Sequence, residues 1–548
     1  MQRQYRPEVI THNLPRAMPT GTMRYLHIQL RNTSGQDWHR RAPCGNPPRL
    51  LLTVDRTVVG RATLSSPNVV VGDEATFSFR WRSPDQPGTI PVGLELVEPG
   101  LPFLSPGSVQ LLCAELELHL PNNSRSEALM HSAFQHNPWF WLPSEGIHWS
   151  ASGGRYPLFV ISAAGARCRD AEGREFVDYV CGWGSCLLGY ADARVTAAIA
   201  ESLRETAITT LPSVREVQLA EALCARFPGA EMVIFGKNGS DVCTAAVRLA
   251  RAFTGRTVIL HSGYHGWQDW CVEPRGFAHT SVPERERRLV YRFPSDDLNT
   301  LSALLEANRG RVAAVMLEPA VQIGGIEGPI PDADPGFLRA VSKQTRRAGA
   351  LLVFDEIFTG FRYPGGSVQN AVGLRPDLTC LGKALGAGMP LAALIGRRDV
   401  FESGMHRIAY DATFKGEPHS FAAALRALSI YDEADIPGRV AAFGRRLIDG
   451  IEERIVRHGI PARVVGTPIR LTLSYPDRRD AVFLRTFVQQ QLLLHGVLTF
   501  RGVMMPSAAH NDADLAWTLS AYDATFTALR NALQRNAVLE NLEIPLIQ

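Results

Sequence analysis

From about Gly146 onward the sequence repeats one pattern, a short and wholly apolar run followed by a longer amphipathic stretch. "EMVIF", "VAAVML" and "ALLVF" alternate with "EVQLAEALCARF" and "DPGFLRAVSKQTRRAG". A strand that is apolar on both faces has to be covered on both faces, and amphipathic helices are the covering elements at hand. The pattern therefore predicts an α/β fold built on a mostly parallel sheet. In such sheets ligands gather at the carboxyl ends of the strands. One strand end is unusual: in "LLVFDEIFTGFR" the apolar residues Leu351 to Phe354 run straight into two carboxylates, Asp355 and Glu356, before the chain leaves through Thr359 and Gly360.

The first 120 residues follow a different period. In "ATFSFRWR" Phe77, Phe79 and Trp81 share one face while Ser78 and Arg80 take the other, and "TIPVGLEL" and "AELELHL" alternate in the same way. Period two with turn signals such as "SPDQPG" and "EPGLPF" predicts an all-β sandwich. "LRNTSGQDW" resembles a strand-turn of Ig-like accessory domains, so an Ig-like sandwich is expected over residues 1–121. A linker at 122–145, containing a polar helix or spacer and the aromatic join "NPWFWLPSEG", should lead to the N-terminal part of a small domain at 146–200. A large domain at 201–432 and the rest of the small domain at 433–548 complete the expected division.

Composition narrows the function. A net charge of +3 with interspersed signs leaves no footprint for nucleic acid. No apolar stretch approaches bilayer length, and the N-terminal residues lack the apolar core of a signal peptide, so a cytoplasmic protein without membrane partners is expected. Nine scattered cysteines, with no CxxC pair and no histidine cluster at ligand spacing, predict buried free thiols and no metal site.

The chemistry begins with Lys383 in "LTCLGKALGAGMPLAALIG", which is flanked by small and apolar residues on both sides. Alone it reads as a lysine reaching the surface from a strand end. A buried lysine, however, loses hydration, and its neutral amine attacks carbonyls. An acid at a strand end, Asp355, upstream of a lysine in a glycine-rich loop is the pairing that a pyridoxal phosphate site needs. Such a site also needs a phosphate cradle, and "FGKNGSDVCTAAVRLARAFTGR" places Gly239 and Ser240 at the start of a helix.

With these residues the sequence resembles the class III, fold type I pyridoxal-phosphate aminotransferases, and within them the glutamate-1-semialdehyde aminomutase group. Seven motifs stand in family order: "FVDYVCGWGSCLLGY", "NGSD", "YHGW", "LEPA", "FDEIFTGFR", "GKALGAGMP" and "ATFKGEPHSFAAALRAL". The resemblance implies that Lys383 holds the cofactor covalently and shuttles a proton, and that Asp355 pairs with the pyridine nitrogen. It gives Glu318 a supporting role around Asp355, and places Tyr264 on one face of the ring and Ile357 on the other. Gly239 and Ser240 would hold the phosphate, and Thr413 would reach the phosphate of a neighbouring subunit in a homodimer. Trp183 would wall the substrate pocket or pack in the core. Arg155 in "SASGGRYPLF" and Arg470 in "GTPIRLTL" are candidates to bind a substrate carboxylate by a bidentate pair, with a surface charge as the alternative for each.

The departures are Asn238, Asp241, Val242 and Ala387 within these motifs. In "FRGVMMPSAAHNDADL", Gly502 falls where the aminomutases have a glutamate that helps control the carboxylate-binding arginine. The resulting expectation is a transaminase moving an amino group from a donor such as glutamate to an aldehyde or ketone, in a surface-glycan or secondary-metabolite pathway. Its alternatives are an aminomutase, an epimerase and a non-catalytic scaffold that binds a glycan or a protein partner.

Overall fold

The computed structural model describes residues 159–271, 282–320, 334–476, 478–544 and 546. Before residue 159 it describes 7–14, 17–19, 23–32, 38–39, 49–54, 57–63, 68–69, 73–82, 88–97, 109–119 and 125–136. The N-terminal region is all-β. Strands Pro7–His12, Met23–Asn32 and Glu74–Arg82 form one sheet; Ala17–Pro19, Val109–His119, Gly88–Val97, Arg49–Val54 and Thr57–Thr63 form a second. Leu26, Ile28, Phe77, Phe79 and Trp81 of the first meet Leu50, Leu52, Val92, Leu94 and Leu96 of the second in one core. The alternation works as expected, because opposite pairs such as Leu26 with Phe79 and Ile28 with Phe77 share one face. The helix Arg125–His136 follows, and its Ser126 N–H donates to Glu172 Oε1 at 2.7 Å.

A seven-stranded sheet forms the centre of the catalytic part. Its spatial order is Met232–Gly236, Ala392–Gly396, Leu378–Leu381, Leu351–Asp355, Val312–Leu317, Val258–Ser262 and Val290–Arg292. All neighbours pair in parallel except Ala392–Gly396, which is antiparallel to both. Helix Gly239–Thr254 covers one face with Val242, Ala246 and Leu249. Leu301, Phe337, Leu338 and Val341, from helices Leu298–Ala307 and Pro335–Arg347, cover the other. Burial on both faces is why these strands are apolar throughout.

The small domain draws on two distant parts of the chain. Strand Glu175–Asp178 pairs in parallel with Val497–Leu498, and Val177 and Tyr179 enter the core formed by helices Ile436–His458, Ala481–Leu494 and Asp512–Gln534. The chain then returns to the all-β region, where Asn13 Nδ2 donates to the Leu542 carbonyl at 2.5 Å. Among the described residues no helix is long and apolar enough to cross a membrane.

Candidate active site

The central strand Leu351–Asp355 ends with Asp355, 4% exposed, at the floor of a cavity of about 450 Å³. Two neighbours fix this carboxylate. Its Oδ1 accepts the Ile357 N–H at 3.0 Å, and its Oδ2 lies 2.7 Å from His265 Nδ1. The other imidazole nitrogen, Nε2, is 3.1 Å from the Ser262 carbonyl, which only accepts, so Nε2 carries a proton. With a carboxylate at Nδ1 and a carbonyl at Nε2, both ring nitrogens face acceptors, an arrangement that favours the protonated ring. Burial opposes that charge, but the carboxylate of Asp355 outweighs burial and holds the His265 pKa above its ordinary value. The Cys243 thiol, 3.7 Å from Oδ2, makes a third contact.

Lys383 lines the same cavity from the turn after strand Leu378–Leu381, with its Nζ 5.2 Å from the centre of the Phe358 ring. Desolvation by burial lowers its pKa against the opposing pull of Glu318 and Asp355, with Arg362 and Arg470 pushing the same way as burial. Glu318 is 5% exposed and accepts the Tyr264 N–H at 3.0 Å. Burial first, and the neighbouring Asp355 second, raise its pKa.

Opposite the lysine stands the N-terminus of helix Gly239–Thr254, capped by Asn238 in a reciprocal box with Asp241. A Cβ at 239 would lie 2.6 Å from Ile357 Cδ1, so only glycine lets the helix start this close to the strand end. Free backbone N–H groups at such a terminus attract a phosphate. Tyr264, Ile357, Gly239 and Ser240 all line the cavity. Thr413 is exposed and Trp183, 45% exposed, lies at the surface with its ring 4.7 Å from Phe500. Arg155 lies outside the described residues. Arg470 is 1% exposed, not a surface charge, and its guanidinium sits 5.6 Å from the Phe358 ring centre.

His265 is the residue that reasoning from sequence passed over, although it stands inside the quoted "YHGW". Its position directly after Tyr264 was the available signal; its carboxylate partner, 90 residues away, was not visible.

An amine biased towards neutrality, a buried carboxylate clamped by His265 in the same cavity and a glycine-cleared helix terminus fit pyridoxal phosphate. That group supplies an aldehyde that links to amines and a ring that takes up the electron pair left when a substrate carbon loses its proton. Fold and site together define a fold type I pyridoxal-phosphate enzyme. The chain belongs to the class-III aminotransferase family, whose model matches residues 149–521. It is 31% identical over 389 residues to the 3-aminobutyryl-CoA aminotransferase of Cloacimonas acidaminovorans (strain Evry), covering 69% of this chain and 91% of that protein. It is 35% identical over 404 residues to the glutamate-1-semialdehyde 2,1-aminomutase of Thermomicrobium roseum, covering 69% and 91%. Among solved structures, the FumI protein of Sphingopyxis sp. MTA144, with PLP, superposes with a TM-score of 0.68 at 29% identity, covering 75% of this chain and 98% of that one. The chain is thus a pyridoxal-phosphate-dependent enzyme of the aminotransferase and aminomutase type, acting on small-molecule amino donors and acceptors.

Proposed function

We propose that this enzyme takes the amino group of a small amine bearing a carboxylate and delivers it to an aldehyde or ketone carbon. The observation that carries the reading is the meeting in one cavity of Lys383, whose amine burial favours the neutral form, with Asp355 locked by His265. Displaced by the substrate amine, the Lys383 Nζ accepts the proton of the substrate carbon and returns it to a different atom. Asp355 would keep the ring nitrogen of the cofactor protonated. Glu318 orients the backbone at Tyr264; Tyr264 and Ile357 would cover the ring, and Gly239 and Ser240 would hold the phosphate.

Two versions share this machinery. The relatives named as glutamate-1-semialdehyde 2,1-aminomutases give the larger support to transfer within one molecule. Gly502, at the place of the aminomutase glutamate, and the 3-aminobutyryl-CoA aminotransferase support transfer between two. The deciding experiment is the visible spectrum of protein loaded with pyridoxal phosphate, before and after a panel of amino donors with no acceptor present. Bleaching by one donor, absent in Lys383→Ala, identifies transfer between molecules. Stable colour with every donor, but conversion of glutamate-1-semialdehyde to an isomer with its amino group moved, identifies the mutase. A spectrum indistinguishable from Lys383→Ala throughout overturns both.

The reading includes a homodimer. Leu211, Val214 and Trp267 are at least 73% exposed and Phe414, next to the exposed Thr413, is 56% exposed; such exposed apolar side chains support contact with a second copy. The seven cysteines whose side chains are described are all free thiols, which supports a reducing cytoplasmic setting. An Ig-like identity for the all-β region, with division near residues 121, 146, 200 and 432, and a glycan or secondary-metabolite pathway complete the proposal.

A further inference from the structure

The turn that carries Lys383 is strained at both ends. Lys383 has φ +45° and Ala387 φ +47°, the left-handed region, although both residues bear a Cβ. Neither lysine nor alanine enters that region readily, and such a conformation persists only where the surroundings fix it. Two local bonds close the turn on itself: the Leu385 N–H donates to the Gly382 carbonyl at 2.9 Å, and the Ala387 N–H to the Ala384 carbonyl at 3.2 Å. The turn is also pressed against the cavity wall, because a Cβ at Gly382 would lie 3.3 Å from Ile357 Cγ2.

A side chain from a distant helix anchors it. The Tyr431 hydroxyl, on helix Pro418–Glu433 and 47 positions from Ala384, donates to the Ala384 carbonyl at 2.6 Å. Tyr431 is 5% exposed and Ala384 fully buried, which shields the bond from solvent. Burial also raises the tyrosine pKa, so the hydroxyl keeps the proton that it donates. The ring is fixed in its turn by stacking on Phe361, with centroids 5.5 Å apart and planes at 28°. Phe361 lies in the segment that leaves strand Leu351–Asp355; it too has a left-handed φ, +67°, and its N–H donates to the Gly366 carbonyl at 2.7 Å. Tyr431 is not on the cavity wall. It spans the two segments that deliver the cavity's amine and its carboxylate: the hydroxyl holds the turn of Lys383, and the ring rests on the chain leaving Asp355.

We propose that Tyr431 is a positioning residue for Lys383, its hydroxyl holding the lysine turn in the left-handed conformation that presents Nζ to the cavity. This rests on the reading of Lys383 as the amine that takes the cofactor. Capture of an aldehyde needs Nζ at bonding distance and angle from the carbonyl carbon, and a displacement of about 1 Å slows such a step on the order of 10²-fold. The stacked ring contributes stability, whereas the hydroxyl contributes geometry.

The test uses full-length protein freed of cofactor and then mixed with saturating pyridoxal phosphate. Tyr431→Phe keeps the stacked ring and loses only the hydroxyl. In this variant, stopped-flow growth of the visible band should be at least tenfold slower than in wild type and should reach the same final amplitude. Hydrogen exchange of the apoprotein should quicken within 383–389, at the Ala387 amide above all, and stay unchanged in the central sheet. Tyr431→Leu, which also removes the ring, should lower Tm further while slowing capture no more than the phenylalanine variant does. Wild-type capture and exchange in Tyr431→Phe would overturn the role of the hydroxyl. A reduced amplitude with an unchanged rate, the sign of a partly unfolded population, would overturn it too, as would a leucine variant far slower than the phenylalanine one. Lys383→Ala that develops the same band as wild type would instead overturn the reading of Lys383, and this inference with it.

Discussion

His27 Nε2 lies 2.8 Å from the carbonyl oxygen of Ile544, so the third described strand of the chain is tied to its last residues. The acceptor is a carbonyl, which makes Nε2 the donor; Nδ1 meets Ser78 Oγ at 2.9 Å. The tail continues the connection inward, because Gln490 donates to the Asn541 carbonyl and accepts the Glu543 N–H, each at 2.7 Å. Gln490 follows Gln489, which accepts the Gly502 N–H, so the all-β region and the Gly502 turn are held by adjacent residues of one helix.

That latch should weaken in acid. Burial lowers the His27 pKa from 6.5 to about 4, so the folded protein holds a neutral ring while the unfolded chain takes up a proton. Stability is unaffected above pH 6.5 and declines as the pH falls from 6.5 towards 4, by about 3 kcal/mol in all. Thermal unfolding between pH 7.5 and 4.5 checks this: His27→Gln should start less stable and lose less over the same range. A parallel pH dependence in wild type and variant would show that His27 is not the group responsible.

The carboxylate clamp has the opposite sign. His265 has a raised pKa in the fold, so its contribution is complete below its ordinary value of 6.5 and is lost as the pH rises through the folded value. Replacing His265 by Gln should weaken retention of pyridoxal phosphate at neutral pH by about tenfold, an effect on the order of 1.4 kcal/mol. It should also remove the alkaline limb of cofactor release. Equilibrium dialysis across pH 6 to 9 reads both.

Glu318 contributes most to holding the Lys383 pKa up against burial. Glu318→Gln removes that charge, so the lysine pKa should fall further and the acid limb of the pH–kcat/KM profile should move to lower pH. An unmoved limb would show that it reports a group other than Lys383.

The phosphate cradle is a steric prediction. Gly239→Ala places a methyl 2.6 Å from Ile357 Cδ1, and cofactor affinity should fall because the helix terminus must retreat. Ile357→Val removes that atom, so the double variant should recover part of the loss. Non-additivity of about 1 kcal/mol in a double-mutant cycle on cofactor binding is the signature.

A charge on the exposed apolar surface should disperse any dimer. Leu211→Asp, at a residue 76% exposed, costs little in a single copy and buries an unpaired carboxylate in a dimer. Sedimentation should show the variant shifted to monomer with its Tm as a monomer unchanged.

Much of this was written locally in the sequence. Periodicity separated the all-β region from the α/β part, because a strand buried on one face alternates and one buried on both does not. Asp355, Lys383, Gly239 and Ser240 were legible for a related reason: each depends on its own strand end, loop or helix start. What tertiary structure decided is the set of relations between distant residues. His265 finds its carboxylate partner 90 positions away, Val177 pairs with Val497 to close the second core, and the tail reaches back to His27 across 517 residues. His265 shows the limit most clearly. In sequence it is one histidine in a loop, and only the fold buries it and sets it 2.7 Å from a carboxylate, because desolvation and pairing are properties of surroundings that no local pattern records.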